Sequence, residues 1–276
     1  MVNFKKSQQK LRSALIGCAV LLIASGSFAC DREGSEASTG LSGGSDAKMA
    51  ADRIAEADQL WDGREDITKA RVAVAALRQA RTADFGNYEA NWKLARATFF
   101  VGDHTDNDDE RTDMFRQGTE AGKMAVKIQP DKPEGHFWLG ANYGGSAAHS
   151  TIANLSSFSD IKTEMDAVLK IDESFQGFSA YLGLGRLYLQ APQVFGGSND
   201  KAIEYLEKGV KLSPNNTTMR YHLAEAYQAS NRDAEAKKQI EALMAATPDP
   251  KFMAEHKSAV EKGKKLLQKM EAEARR

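Results

Sequence analysis

Five histidines, His104, His136, His149, His222 and His256, are the first residues to test for chemistry. A zinc pair on a helix needs two of them four apart, so that both imidazoles leave one face. No two here have that spacing. His149 lies beside Ser146 and Ser150, but adjacency in sequence supplies neither the geometry nor the orienting acid of a triad. His136 precedes Phe137 and Trp138 and reads as a helix-start residue with a hydrogen bond; a place in a pocket wall is the alternative. The acidic run "GDHTDNDDERTD" (Gly102–Asp113) has the composition of a calcium loop. It places Asp108 where the tight turn needs glycine, and it lacks the final bidentate glutamate. A solvated loop with Asp108 or Asp109 near a helix start fits better. "GANYGGSAAHS" is glycine-rich without the lysine that a phosphate loop needs. The reading is therefore no catalytic residue, no metal, no cofactor and no enzyme.

What positions these residues is a helical chain. Of 276 residues 42% are apolar, enough for a core, and the formal net charge of −1 with dispersed Lys and Arg argues against a nucleic-acid partner. The six prolines, Pro130, Pro133, Pro192, Pro214, Pro248 and Pro250, fall between periodic segments and not inside them.

The N-terminus has the layout of an export signal. Lys5, Lys6, Lys10 and Arg12 precede an apolar stretch from Ala14 to Ala29, shorter than the ~20 residues that comfortably span a bilayer. "GSFAC" resembles the lipobox of bacterial lipoproteins, with Cys30 as the lipid attachment; "LIGC" at Leu15–Cys18 lies too close to Arg12 to serve. A secretory signal cut after Ala29 is the plainer alternative. Residues 1–29 are thus expected to be a signal peptide, and 30–46 a flexible tether rich in Gly and Ser. Cleavage would leave Cys30 as the sole cysteine, so no internal disulfide could form in the mature chain.

Residues 47–276 carry an internal repeat. Ala202 and Ala236, Leu206 and Ile240, and Pro214 and Pro248 are each 34 apart, the tetratricopeptide period. Leu94-Ala95, Leu139-Gly140 and Leu184-Gly185 recur every 45 residues. Small residues at such places let paired helices approach, and each pair needs a neighbour to cover its apolar face. The expected fold is all-α, a tetratricopeptide-repeat-like helical solenoid: about four pairs from Trp92 onward, an incomplete pair before them (47–61 and 67–83), and a charged capping helix after them. First helices of the units carry Trp92, Phe99, Phe100, Phe137, Trp138, Tyr143, Tyr181 and Tyr188. In a solenoid these helices line the concave side, where a minority of such rings would face a groove for a peptide or an apolar ligand.

"EGHFWLGANYG" (Glu134–Gly144), "GLGRLYLQAPQVFGGSNDKAIEYLEKGVKLSPNN" and "YHLAEAYQASNRDAEAKKQIEAL" together resemble the TRAP-transporter T-component family of periplasmic lipoproteins. The resemblance is strongest from Glu134 to about Leu243. It implies a periplasmic, lipid-anchored protein of the bacterial envelope that partners the solute-binding protein of a TRAP-type uptake system, with room for an apolar ligand. A homo-oligomer is left open by the sequence itself. A general repeat scaffold in envelope assembly, with another protein partner, is the alternative. "APQVFGGSNDKA" inserts five residues between the helices of one unit. Pro192 should stop a helix, Gly196-Gly197 permit the turn, and Ser198 or Asn199 cap the second helix. The resemblance makes this loop a border of the partner or ligand surface, with His136, Trp138, Tyr143, Tyr188, Pro192, Phe195, Gly196 and Gly197 as its candidate residues. A purely structural elbow is the bland alternative.

Overall fold

Eleven α-helices make up most of the described backbone in a computed structural model that describes residues 39–149 and 154–275. The expected signal and Cys30 lie outside the described residues. Among the described residues there is no strand, and no helix is long and apolar enough to cross a membrane.

Helices α1 (Thr39–Trp61) and α2 (Ile67–Ala83) form the first pair. Ala50, Ile54 and Ala57 repeat at helical spacing and are buried in one core with Ala70, Ala73, Val74 and Leu77 of α2. Helix α1 reaches back into the segment expected as tether. Its first buried side chain is Ala50, so Ser45 to Met49 lengthen the helix without entering the core.

The pairs α3 (Tyr88–His104) with α4 (Asp108–Ile128), α5 (Pro133–Ala148) with α6 (Asn154–Ile171), α7 (Phe175–Gln190) with α8 (Asn199–Leu212), and α9 (Thr217–Ala229) with α10 (Asp233–Ala245) come next along the chain. Helix α11 (Met253–Glu273) packs on α9 and α10. The chain is thus an all-α, tetratricopeptide-like solenoid. The repeat equivalents share one environment: Leu94, Leu139, Leu184 and Leu223 are all buried on first helices, and Ala202, Ala236, Leu206 and Ile240 on second helices. A Cβ on Gly185 would lie 2.4 Å from Leu206 Cγ, so the small residue of the motif is what lets α7 and α8 touch.

Local chemistry sets the boundaries. Asp66, Asn87, Asn107, Ser198 and Asn216 each sit before a helix and accept from a backbone N–H two or three residues on. Asp108, Asp109 and Glu110 then fill the first turn of α4, where the helix dipole favours negative charge. The acidic run thus spans the end of α3, a short loop and the first turns of α4, with Asp108 and Asp109 at the helix start as expected. In the inserted loop, Pro192 leads into a 3₁₀ turn (Gln193–Phe195), and Gly196 takes φ +103°. A Cβ on Gly197 would fall 1.8 Å from the Ala191 carbonyl oxygen, so only glycine fits there. The Ser198 N–H then bonds back to the Tyr188 carbonyl at 2.8 Å.

One local feature breaks the repeat. Gln176, Gly177 and Phe178 all have φ between +47° and +66°, a left-handed turn at the start of α7. For the two non-glycine residues this costs roughly 1–2 kcal/mol each. Ser179 Oγ donates to the Gln176 carbonyl, and the Gly177 and Phe178 N–H groups both reach the Ser174 carbonyl.

Candidate functional site

A cavity of about 580 Å³ opens along the first helices. Its aromatic wall comes from Trp61 at the end of α1, Phe99 and Phe100 on α3, and Phe137 and Trp138 on α5. Gly140, Ala141, Gly144 and Gly145 form the floor along α5, since residues this small leave space where larger ones would fill it. Helix α6 adds Phe158, Ile161 and Met165, and α7 adds Leu182, Arg186 and Leu187. The polar edge is made by the left-handed turn (Gln176, Gly177) and the start of α9 (Asn215, Asn216, Thr217). Pro248, Asp249, Phe252 and Glu255 complete it from the segment entering α11.

The aromatic wall is braced from behind. Trp61 meets Phe100 edge-on at 5.6 Å, and the Arg96 guanidinium lies 4.1 Å over its ring. Arg96 is also 5.0 Å from the Trp92 ring. Burial pulls its pKa down to about 10, opposed by Asp58, so it still carries its charge at neutral pH. Lys93, buried at 6% exposure, reaches the same Asp58 at 2.5 Å. Phe137 and Trp138 meet edge-on at 4.9 Å, and Phe99 tilts against Trp138 at 5.8 Å.

The structure separates the residues singled out from sequence. Trp138 and Pro192 line the cavity. His136 points away from it: Nδ1 is 2.6 Å from Glu164 and Nε2 is 3.0 Å from the Pro130 carbonyl, tying α5 to α6 and to the preceding turn. Tyr143 is half-buried with Lys123 over its ring at 5.7 Å. Tyr188 is core, stacked on Tyr205 at 5.5 Å and edge-on to Phe158 at 5.4 Å. Phe195, Gly196 and Gly197 lie outside the cavity lining, and Gly196 packs against the Phe158 ring. The α6 residues, Arg186, Trp61 and Phe252 carried no sequence signal for this role.

Among the described residues no cluster of three or more His, Cys, Asp or Glu could hold a metal ion. A buried titratable group, His222 with Tyr221 and Glu225, lies on α9. Burial pushes His222 down, opposed by the bond between its Nδ1 and Glu225 at 2.6 Å. Burial would raise Glu225, but the bonds from His222 and Tyr221 outweigh it and hold its carboxyl below the usual range. This trio sits within the packing of α9 and outside the cavity lining.

The His136–Glu164 pair has a pH signature. Its hydrogen bond to Glu164 raises His136 against the opposing effect of burial. A raised folded-state pKa gives stability that is fully present below the ordinary histidine value of about 6.5 and is lost as pH rises through the folded value. The melting temperature of the wild type should therefore exceed that of His136→Gln by more at pH about 5.5 than at pH about 8.5. An equal difference at both pH values would show that the pair contributes nothing through ionisation.

Comparison with known proteins agrees with the architecture. Residues 197–254 match a tetratricopeptide repeat family. The TTC0263 tetratricopeptide protein of Thermus thermophilus superposes with a TM-score of 0.57 at 20% identity, over 76% of this chain and 98% of that one. PilF of Pseudomonas aeruginosa gives 0.50 at 15% identity, over 82% and 93%. No curated protein sequence matches the chain. These likenesses establish the tetratricopeptide class of repeat, a scaffold suited to binding other proteins. Residues 53–194, more than half of the sequence, match the family described as regulator of microtubule dynamics protein 1-3, and the chain belongs to that family.

Proposed function

We propose that this chain is a binding protein with no reaction of its own, which holds an apolar segment of a protein partner, or an apolar ligand, in its concave cavity. The observation that carries this is the cavity itself. Its volume lies within the roughly 300–1,000 Å³ of ligand sites, and five aromatic rings from three successive first helices wall one side of it. A polar edge of amides and hydroxyls, with Arg186, supplies the few oriented groups that such sites use for placement.

The narrower form of the proposal names the place and the partner. The chain is a lipoprotein acylated at Cys30 on the periplasmic side of a bacterial envelope, and its partner is the solute-binding protein of a TRAP-type uptake system. The export-signal layout and the motifs between Glu134 and Leu243 support it.

Gly144 provides the test. It lines the cavity, and a Cβ there would have only Ile161 Cδ1 nearby, at 3.9 Å. Gly144→Trp should fill the cavity with little strain and reduce binding by about tenfold or more, with a wild-type helical spectrum. The full-length protein is captured from its native membranes in both forms. A near-stoichiometric solute-binding protein held by the wild type and lost from the variant supports both levels of the proposal. A different envelope protein with the same dependence on Gly144 keeps the cavity and rejects the TRAP role. A partner held equally by both forms rejects the cavity as the binding surface.

A further inference from the structure

The geometry points to a clasp between the two ends of the repeat array that gates the cavity, an inference that rests on the reading of that cavity as the binding site. Arg64 lies in the α1–α2 turn and Glu255 in the first turn of α11, 191 residues apart. Arg64 Nη2 donates to both Glu255 oxygens, at 2.9 and 3.0 Å, and to the Lys251 carbonyl at 2.6 Å. Its Nε reaches Glu255 at 3.2 Å, and its Nη1 reaches the Trp61 carbonyl at 3.3 Å. Five bonds leave Arg64 only 7% exposed on a turn whose other residues are largely solvated. A second pair, Lys257 Nζ to Glu65 at 2.5 Å, lies further along α11.

Two features make this a gate and not a further piece of core. Trp61 and Glu255 both line the cavity, with Phe252 beside them, so the clasp closes the wall between the first helical pair and α11. Among the described residues, the buried core that holds α1 and α2 contains no residue of α11, and the core that holds α11 contains none of α1 or α2. The two ends are therefore joined by ion pairs and hydrogen bonds, which can break and reform without exposing a shared apolar interface. The segment entering α11 carries Pro248 and Pro250, and only the short 3₁₀ turn Pro250–Phe252 interrupts it. A small displacement of that segment and the first turn of α11 would part Glu255 from Arg64 and open the wall, with Ala259, Gly263 and Met270 further along the helix staying packed.

The test follows exchange of N-phenyl-1-naphthylamine, a neutral apolar fluorophore, by stopped flow in three forms of the chain. One is the wild type. In Arg64→Gln/Glu65→Gln both groups through which the α1–α2 turn holds α11 lose their charge, and neither of them lines the cavity. The third carries Glu65→Cys and Lys257→Cys with Cys18 and Cys30 replaced by serine, and its new thiols are joined by a short bismaleimide. The double glutamine form should raise association and dissociation rates together by about tenfold, with a small change in Kd, since a gate acts on both directions. The cross-linked form should slow both by a similar factor. Salt at about 0.5 M should move the wild type toward the glutamine form. Rates equal within about twofold in all forms would overturn the gate while leaving the cavity reading intact, provided Gly144→Trp abolishes the signal. A probe that binds none of the forms overturns the cavity reading, and the gate with it.

Discussion

Phe115→Ala should cost about 4 kcal/mol, and lower the melting temperature by roughly 8–16 °C. The ring is 2% exposed and crosses from α4 to both neighbouring helices. Cβ atoms on Gly102 of α3 and Gly145 of α5 would fall 2.8 and 2.3 Å from it, so two glycines make room for one phenyl ring. Phe99 and His149 close on it at 6.1 and 6.2 Å. With these neighbours fixed in helices the hole cannot collapse, which places the cost toward the upper part of the usual range. Phe115→Leu should retain most of the stability. Thermal unfolding followed by circular dichroism decides it, and a loss below about 1 kcal/mol for the alanine form would mean that the ring is not the filler described.

The second large effect is Gly118→Ala, which should cost about 3 kcal/mol through overpacking. A Cβ there would lie 2.0 Å from Asn142 Oδ1 and 2.5 Å from Thr98 Oγ1. Asn142 cannot yield, because its Nδ2 donates to the Ala95 carbonyl at 2.9 Å and the Trp138 carbonyl at 2.7 Å. Thr98 is likewise held, by the Leu94 carbonyl at 2.8 Å. Three helices meet at this point, and one methyl group would push all of them. Urea unfolding of Gly118→Ala, Asn142→Ala and the double variant tests the mechanism. The double variant should be more stable than the sum of the single losses implies; strict additivity would locate the strain elsewhere.

Much of this fold was written locally. The 34- and 45-residue spacings marked equivalent buried positions because a repeat must bury the same face each time. Ser198 as a cap, and Asp108 or Asp109 near a helix start, came from the hydrogen bonds that a helix leaves unmade at its first turn. The family came out differently in detail. Of the resemblance read from Glu134 to Leu243, the comparisons bear out the tetratricopeptide class, while the matched family covers 53–194 and so includes the repeats with the weakest motifs.

The site was less legible, for physical reasons. Tyr188 carried the same signal as Trp138, a large ring on a first helix, yet one stacks inside the core and the other faces the cavity. Helical period alone fixes a face only to within about 100°, too coarse to separate these two outcomes. The α6 side of the cavity looked like plain core, because Ile161 and Met165 serve both roles. The meeting of Arg64 with Glu255 depends on the accumulated rotation of every intervening pair, which no local spacing encodes.

Phe137 and Trp138 are consecutive, yet they belong to different cores. Trp138 packs on the cluster that runs from α1 to α4, and Phe137 on the one built from α6 and α7. Their rings meet edge-on, and both face the cavity. A repeat array is held together neighbour by neighbour, so its halves share stability only where such clusters touch. A molecule lying across these two rings would rest on both clusters at once. Its binding energy would be distributed along the array, coupling the cooperativity of one half to the other at a joint two residues long.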